Sequence, residues 1–434
     1  MFKKSAICLT CILLMACQSP ASKEHQQTST EQTNAQQESL VLKSLFYGDA
    51  NEQGMYHFSY RNIGDQSYQN IYYYDYATKK EIFLCDKPEC SHMDDSCTSF
   101  VDVGFRGYLF LHGEKLYLVK NETGGMIVNS DGSITRTTKA GPQIISMDLD
   151  GKNRKDLCTL PDGFTFEDDQ VIMDERFLYL VLTKENIVEI DNGSSMSYTE
   201  ESRLYRIDFT NGDQKDLLDM KNKNLIGVHD RKMLLSSYHY QEDPDQLLQK
   251  KDFEKYDEIM YNATSTYTSY DIDKKTFSDE IPIDVGMSCV SYGDDLYYEK
   301  DKEIHRVSLS NGENEVMITL PKDMNYGLLE VRDGNLIIPG SATATYVKSF
   351  VLSLQDASMK EITLSKKQPK EPVQILAETK DAFFVYYDHD QHLEKTWAGT
   401  DQYELDKAWY GLISKEDYWK DRSHYETFET ISTQ

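Results

Sequence analysis

Leu204-Tyr205-Arg206-Ile207-Asp208-Phe209-Thr210-Asn211-Gly212 is a short aromatic-aliphatic run closed by an Asn-Gly turn. A run of this composition ending in Asn-Gly reads as one arm of a β-hairpin. The same phrase recurs through the chain as Ile71-Tyr72-Tyr73-Tyr74-Asp75 with Thr78-Lys79, Ile144-Ile145-Ser146-Met147-Asp148 with Asp150-Gly151, and Tyr270-Asp271 with Asp273-Lys274. Later copies are Ile304-His305-Arg306-Val307-Ser308 with Asn311-Gly312, Phe350-Val351-Leu352-Ser353 with Gln355-Asp356, and Trp409-Tyr410-Gly411-Leu412-Ile413-Ser414. A second signal, a small turn running into an apolar-aromatic strand, precedes each copy. It reads Gly54-Met55-Tyr56, Lys115-Leu116-Tyr117, Phe177-Leu178-Tyr179, Met233-Leu234-Leu235, Asp295-Leu296-Tyr297, Asn335-Leu336-Ile337 and Ala382-Phe383-Phe384.

The two signals alternate strictly. A single four-stranded sheet cannot bury both of its faces, so a regular series of such units points to radial stacking. The expected fold is all-β, a β-propeller of seven four-stranded blades over 40–434. Ring closure has two forms on this reading: the strand near 41–47 pairs with the last blade, or every blade is self-contained.

Loop lengths then predict which face carries function. Connections from second to third strand, and from blade to blade, share one face of a propeller. Turns from first to second and third to fourth strand share the other. The third-to-fourth turns read as tight throughout, for example Thr210-Asn211-Gly212 and Ser310-Asn311-Gly312. Four second-to-third connections read as long, at 121–141, 184–202, 239–266 and 388–403. In the third, Asp243-Pro244-Asp245 reads as a helix start. Leu247, Leu248, Phe253, Tyr256, Ile259 and Met260 follow at near-helical spacing, which predicts a helical insert over 243–261. Long loops on a rigid scaffold are where binding sits. The loop-rich face is therefore the expected ligand or partner surface, with Trp397, Tyr387 and Tyr403 as candidate contacts for a carbohydrate or protein.

The N-terminus carries a different signal. Lys3 and Lys4 precede an apolar run from Ala6 to Ala16, too short to span a bilayer, which has the form of a secretory signal at 1–16. It ends in Leu14-Met15-Ala16-Cys17, which resembles the lipobox of bacterial lipoproteins. That resemblance implies acylation of Cys17, cleavage before it, and a lipid anchor in the cell membrane with the chain on the extracytoplasmic side. From residue 17 to 39 the chain is rich in Gln, Ser and Thr and reads as a disordered tether. As a coil, its ends average roughly 25 Å apart.

With 46 basic and 73 acidic residues the formal charge is −27. So acidic a chain repels nucleic acid and anionic headgroups, which excludes nucleic acid as a partner.

The stretch Ile144-Ile145-Ser146-Met147-Asp148-Leu149-Asp150-Gly151-Lys152-Asn153 resembles the repeat of TolB-type propellers. Leu84-Cys85-Asp86-Lys87-Pro88-Glu89-Cys90-Ser91-His92 with Cys97, and the ending Leu412–Trp419, resemble uncharacterised Gram-positive lipoproteins with TolB-like propellers. That family implies the fold and the location, and no activity.

Chemistry-bearing constellations are few. Cys85, Cys90, His92 and Cys97 offer three thiols and an imidazole within one loop, a donor set for one structural Zn²⁺. In an oxidising compartment two of these cysteines equally make a disulfide, leaving the third free or paired with Cys158 or Cys289. Asp148-x-Asp150-Gly151 reads as a hairpin turn, since no Glu completes a calcium loop. The acidic pairs Asp94-Asp95, Glu200-Glu201 and Asp294-Asp295 are expected to be solvated, and no catalytic residue is assigned. The function expected is binding or scaffolding. The alternative is a propeller-type hydrolase or lyase acting on envelope glycans.

Overall fold

The strand Lys115–Lys120 shows why these repeats stack as blades: four consecutive residues, Leu116 to Val119, are buried. Side chains alternate across a strand, so a strand buried throughout is covered on both faces. Leu116 and Leu118 pack with Tyr56 and Ile71 on one side, while Tyr117 and Val119 pack with Leu178 and Leu180 on the other. Further along, Leu178, Leu180 and Leu182 face backward, and Tyr179 and Val181 face forward toward Met233 and Leu235.

The computed structural model describes residues 39–431, apart from 64–65, 102–106, 122–124, 129–133, 138–140, 167–168, 190–194, 283–288, 344–345, 368–369 and 396–399. The predicted signal, Cys17 and nearly all of the tether lie outside the described residues, as does Trp397. Among the described residues no helix is long and apolar enough to cross a membrane.

Seven antiparallel sheets follow one another along the chain, at 49–83, 107–159, 170–219, 223–282, 289–319, 325–362 and 374–427. They are blades 1 to 7, and the recurring phrases form the second and third strand of each. One apolar cluster fills each interface from blade 1 to blade 7. The last cluster joins blade 7 to blade 1 through Tyr74, Tyr76, Phe384, Tyr410 and Phe428, closing the ring. Tight turns fit against neighbouring blades. Gly212 has φ +75°, and a Cβ there would meet the Leu157 carbonyl oxygen at 2.1 Å, so only glycine suits both the turn and its contact.

Each blade builds its four strands from its own stretch of chain, the second of the two closures expected. The N-terminal strand Val41–Ser44 does not join the last blade. It pairs antiparallel with the innermost strand of blade 3, Gln170–Met173. The far terminus contributes to closure instead: Glu429 forms a parallel bridge with Lys80, and the Glu81 amide donates to the Glu429 carbonyl at 2.8 Å. The third-to-fourth turns are tight in six blades. In blade 7 that connection holds the helix Lys415–Trp419, capped by Ser414, and Tyr418 is buried beneath it. Sequence reasoning misses this helix because Leu412-Ile413-Ser414 continues a strand pattern until the cap.

Candidate metal centre and the loop-rich face

The connection from blade 1 to blade 2 leaves the sheet after Phe83 and is held to it along its return arm. The Ile71 amide donates to the Ser99 carbonyl at 2.7 Å and the Val101 amide to the Gln69 carbonyl at 3.1 Å. The Thr98 hydroxyl donates to the Leu84 carbonyl at 2.7 Å. The Arg154 guanidinium donates to the Phe100 carbonyl at 2.7 Å and to that of Thr98. Two non-glycine residues inside the loop, Glu89 and His92, hold left-handed backbone (φ +57° and +59°). Such conformations cost about 1–3 kcal/mol each and persist where the surroundings impose them.

What they achieve is convergence. The sulfurs of Cys85, Cys90 and Cys97 and a His92 ring nitrogen all lie within 4.8 Å of one another. His92 Nδ1 stands 3.1 Å from Cys97 Sγ. Its ring stacks on Phe83 at 3.9 Å, and its carbonyl accepts from Asn70 at 3.0 Å. Cys97 is buried and the other three are half-buried. Each sulfur faces the amide two residues on: Lys87 for Cys85, His92 for Cys90, and Ser99 for Cys97 at 3.4 Å. An amide donor aimed at sulfur favours thiolate.

Burial, aided by the Arg61 charge, lowers the His92 pKa and keeps its ring neutral. Burial works to raise Cys85, but the Lys87 amide and the hydrogen bonds of Cys97, Thr98 and Cys90 outweigh it and lower the thiol. The His92 amide favours the Cys90 thiolate, yet burial and the crowding sulfurs of Cys97 and Cys85 raise that thiol. This cluster could hold a metal ion. Four protein donors would fill a tetrahedral site and leave no open position for a substrate, so its role would be structural.

All five described cysteines are free. Cys158 and Cys289 lie in other blades, and burial pushes their thiols up to about 11 and about 12. Cys158 packs between blades 2 and 3 and Cys289 between blades 4 and 5, and neither is paired with a third thiol of the loop.

The same face carries the elaborations. Blade 3 extends its central hairpin over Phe177–Glu189 and Ser195–Asp208, and blade 7 over Ala382–Lys395 and Asp401–Ser414. Blade 2 inserts a small hairpin, Gly125–Val128 with Ile134–Thr137. Blade 4 inserts the predicted helices, Pro244–Gln249 and Phe253–Tyr261. Asp243 caps the first by accepting from the Asp245 amide at 3.0 Å, and Leu247, Leu248 and Ile259 are buried.

Exposed apolar side chains gather on these elements. Tyr261 on the insert is 91% exposed, Leu328 at the entry to blade 6 is 72%, and Phe46 after the N-terminal strand is 69%. On the blade 7 hairpin Leu393 is 54% and its cross-strand partner Tyr403 is 65% exposed. Of the aromatic candidates, Tyr403 thus projects into solvent. Tyr387 stacks on Tyr425 at 4.2 Å and shares a 2.7 Å hydrogen bond with Thr427. The structure does not bring Tyr387 and Tyr403 together. Phe46 and Leu328 escape sequence reasoning because nothing local marks a single apolar residue in a connection as exposed.

His392, Glu394 and Glu404 also converge on the blade 7 hairpin, all exposed, with Asp406 2.7 Å from His392. Asp148 and Asp150 lie in the expected turn, where Asp148 accepts from Asn153 at 2.6 Å. Glu200 is paired with Lys184 at 3.0 Å.

No protein-family model matches the chain, and no curated protein does. Solved structures do. TolB from Acinetobacter baumannii shares 10% identity over 88% of this chain and 83% of its own, with a TM-score of 0.35. The β-propeller domain of the Trilobed protease from Pyrococcus furiosus shares 11%, over 88% of this chain and 99% of that one, at 0.41. An acylaminoacyl peptidase from Pyrococcus horikoshii shares 12% over 86% of this chain at 0.42, and there the chain spans only 52% of the neighbour. At such identities the likeness extends to the fold alone.

Proposed function

We propose that this chain is a lipid-anchored, extracytoplasmic binding module, held to the membrane through Cys17 and engaging its partner with the loop-rich face. The observation that carries the reading is that the five most exposed large apolar side chains among the described residues, Tyr261, Leu328, Phe46, Tyr403 and Leu393, all lie on that one face.

The N-terminal strand leaves the loop-rich face unobstructed at its start. The Leu40 amide donates to the Asp230 carbonyl at 2.9 Å, in a first-to-second-strand turn, so the strand begins at the tight-turn face. It then runs beside the inner strand of blade 3 until Leu45 bonds Asp169, in the blade-to-blade connection. The described chain therefore begins, at residue 39, on the face opposite the loops. Zn²⁺ in the Cys85–Cys97 loop would brace one connection of the loop-rich face.

Photo-cross-linking in cells tests both parts. A photoreactive residue at Leu393 or Tyr403 is expected to give a discrete adduct, and one at Val316 or Phe277 on outer strands none. Equal labelling at all four positions would sink the assignment of the face. Labelled palmitate should enter the chain and vanish with Cys17→Ala; label retained in that variant would remove the anchor.

A further inference from the structure

The loop-rich face opens a cleft of about 380 Å³ between blades 3 and 4, roofed by the helical insert. That volume falls in the range of small-ligand sites, roughly 300–1,000 Å³. Four tyrosines line it: Tyr198 from the third strand of blade 3, Tyr238 and Tyr240 from the end of the second strand of blade 4, and Tyr256 from the insert. Tyr238 and Tyr240 sit two residues apart along the chain, with ring planes 18° apart and centroids 6.4 Å apart. Ser202, Asn222 and Asn224 add hydroxyl and amide groups to the lining.

The cleft is polar but close to electrically neutral. Asp245, at the start of the first insert helix, is paired with Lys221 at 2.7 Å. Burial raises the Tyr240 and Tyr256 hydroxyls above their ordinary range, so both stay protonated at neutral pH. Tyr198 already accepts from Gln249 at 3.2 Å, which ties the insert to blade 3.

Such a lining matches one chemistry well. Tyrosine rings present flat apolar faces with a polar tip, and the short amides and hydroxyls satisfy a ligand rich in hydroxyl groups. Lys223 and Asp245 are the charged residues of the lining and balance one another, so an anionic ligand would gain one lysine against a carboxylate and the field of a chain of charge −27. We infer that this cleft binds a neutral saccharide of one or two pyranose rings, stacked on the tyrosines and hydrogen-bonded by Ser202 and Asn224. The inference rests on reading the loop-rich face as the binding face, and it adds the site and the ligand class.

The test titrates the soluble chain from residue 18 onward, with its insert intact, against maltose, cellobiose and N,N′-diacetylchitobiose, followed by calorimetry. Glycine betaine serves as a probe for an aromatic cation cage. One disaccharide is expected to saturate with a Kd on the order of 1 mM or tighter. Tyr238→Ala and Tyr256→Ala should each weaken it about tenfold, as loss of an aromatic anchor does. Tyr256→Phe, which keeps the ring, should weaken it less. Unchanged melting temperatures confirm that the variants are folded.

No saturable binding by any of the three sugars overturns the inference. Betaine binding without sugar binding overturns it in favour of a cation cage. Sugar binding indifferent to both alanine substitutions overturns the assignment of the cleft. The positions expected to cross-link, Leu393 and Tyr403, lie on blade 7 and this cleft between blades 3 and 4, so failure of one reading is distinguishable from failure of the other.

Discussion

Protein purified without chelator or reductant is expected to carry close to one zinc per chain, and Cys97→Ser to lose it. Cys97 is the buried member of the cluster, and its sulfur receives the Ser99 amide at 3.4 Å while the Ser99 hydroxyl lies 3.1 Å away. Replacing sulfur by a hard hydroxyl removes one of four donors and leaves the others too few for a closed tetrahedral site. A ligand that binds only the folded state stabilises it by mass action, about 4 kcal/mol when free metal exceeds Kd a thousandfold. A chelator should therefore lower the midpoint of urea unfolding in the natural protein and leave that of Cys97→Ser unchanged. Hydrogen exchange should locate the change in residues 84–101, where the return arm is stitched to blade 1. Protein without metal but with two thiols missing would show a disulfide in its place. Protein without metal and with every thiol free would end both readings.

Glu81→Ala is expected to destabilise the propeller by about 2–6 kcal/mol, because it leaves the buried His57 ring and the Ile431 amide without their acceptor at about 1–3 kcal/mol each. The Glu81 side chain is fully buried and its Oε1 lies 2.9 Å from His57 Nε2. Its other oxygen accepts the Ile431 amide at 2.7 Å, while its own amide donates to Glu429. The His57 ring stacks on Tyr74 at 4.6 Å, and Tyr74 belongs to the cluster that joins blade 7 to blade 1. One carboxylate thus links the interior of blade 1 to the segment that closes the ring. Substitution strands an imidazole in an apolar surrounding and frees the terminus together. Urea unfolding gives the magnitude, and limited proteolysis should cut the variant first beyond residue 425. A loss under about 1 kcal/mol, typical of an exposed pair, would show that the closure does not depend on this contact.

The metal loop and the cleft were legible to different degrees. Cys85, Cys90, His92 and Cys97 stand close along the chain, so their donor types could be read directly. Whether they converge depends on left-handed backbone at Glu89 and His92 and on anchoring to blade 1, and spacing alone left metal and disulfide equal. The tyrosines of the cleft come from two blades and an insert. Among thirty tyrosines in the chain, no local pattern separates these four from those packed between blades. Tyr387 shows the converse, a candidate by its position near a long loop that the fold stacks against Tyr425.

What the sequence by itself determined is what local physics writes into it. Alternating apolar side chains and Asn-Gly or Asp-Gly turns are short-range signals, and their strict recurrence established seven blades and the face with the long connections. The Asp243-Pro244 cap likewise announced its helix, because capping involves only neighbouring residues. The tertiary structure alone decided how the ring closes, where the N-terminal strand lies, and which side chains share a cleft. Those outcomes rest on contacts between residues far apart in the chain, such as Val41 with Met173 or Glu81 with Ile431. Such contacts depend on how seven separately legible sheets stack, and a one-dimensional pattern does not encode which distant residues that stacking brings face to face.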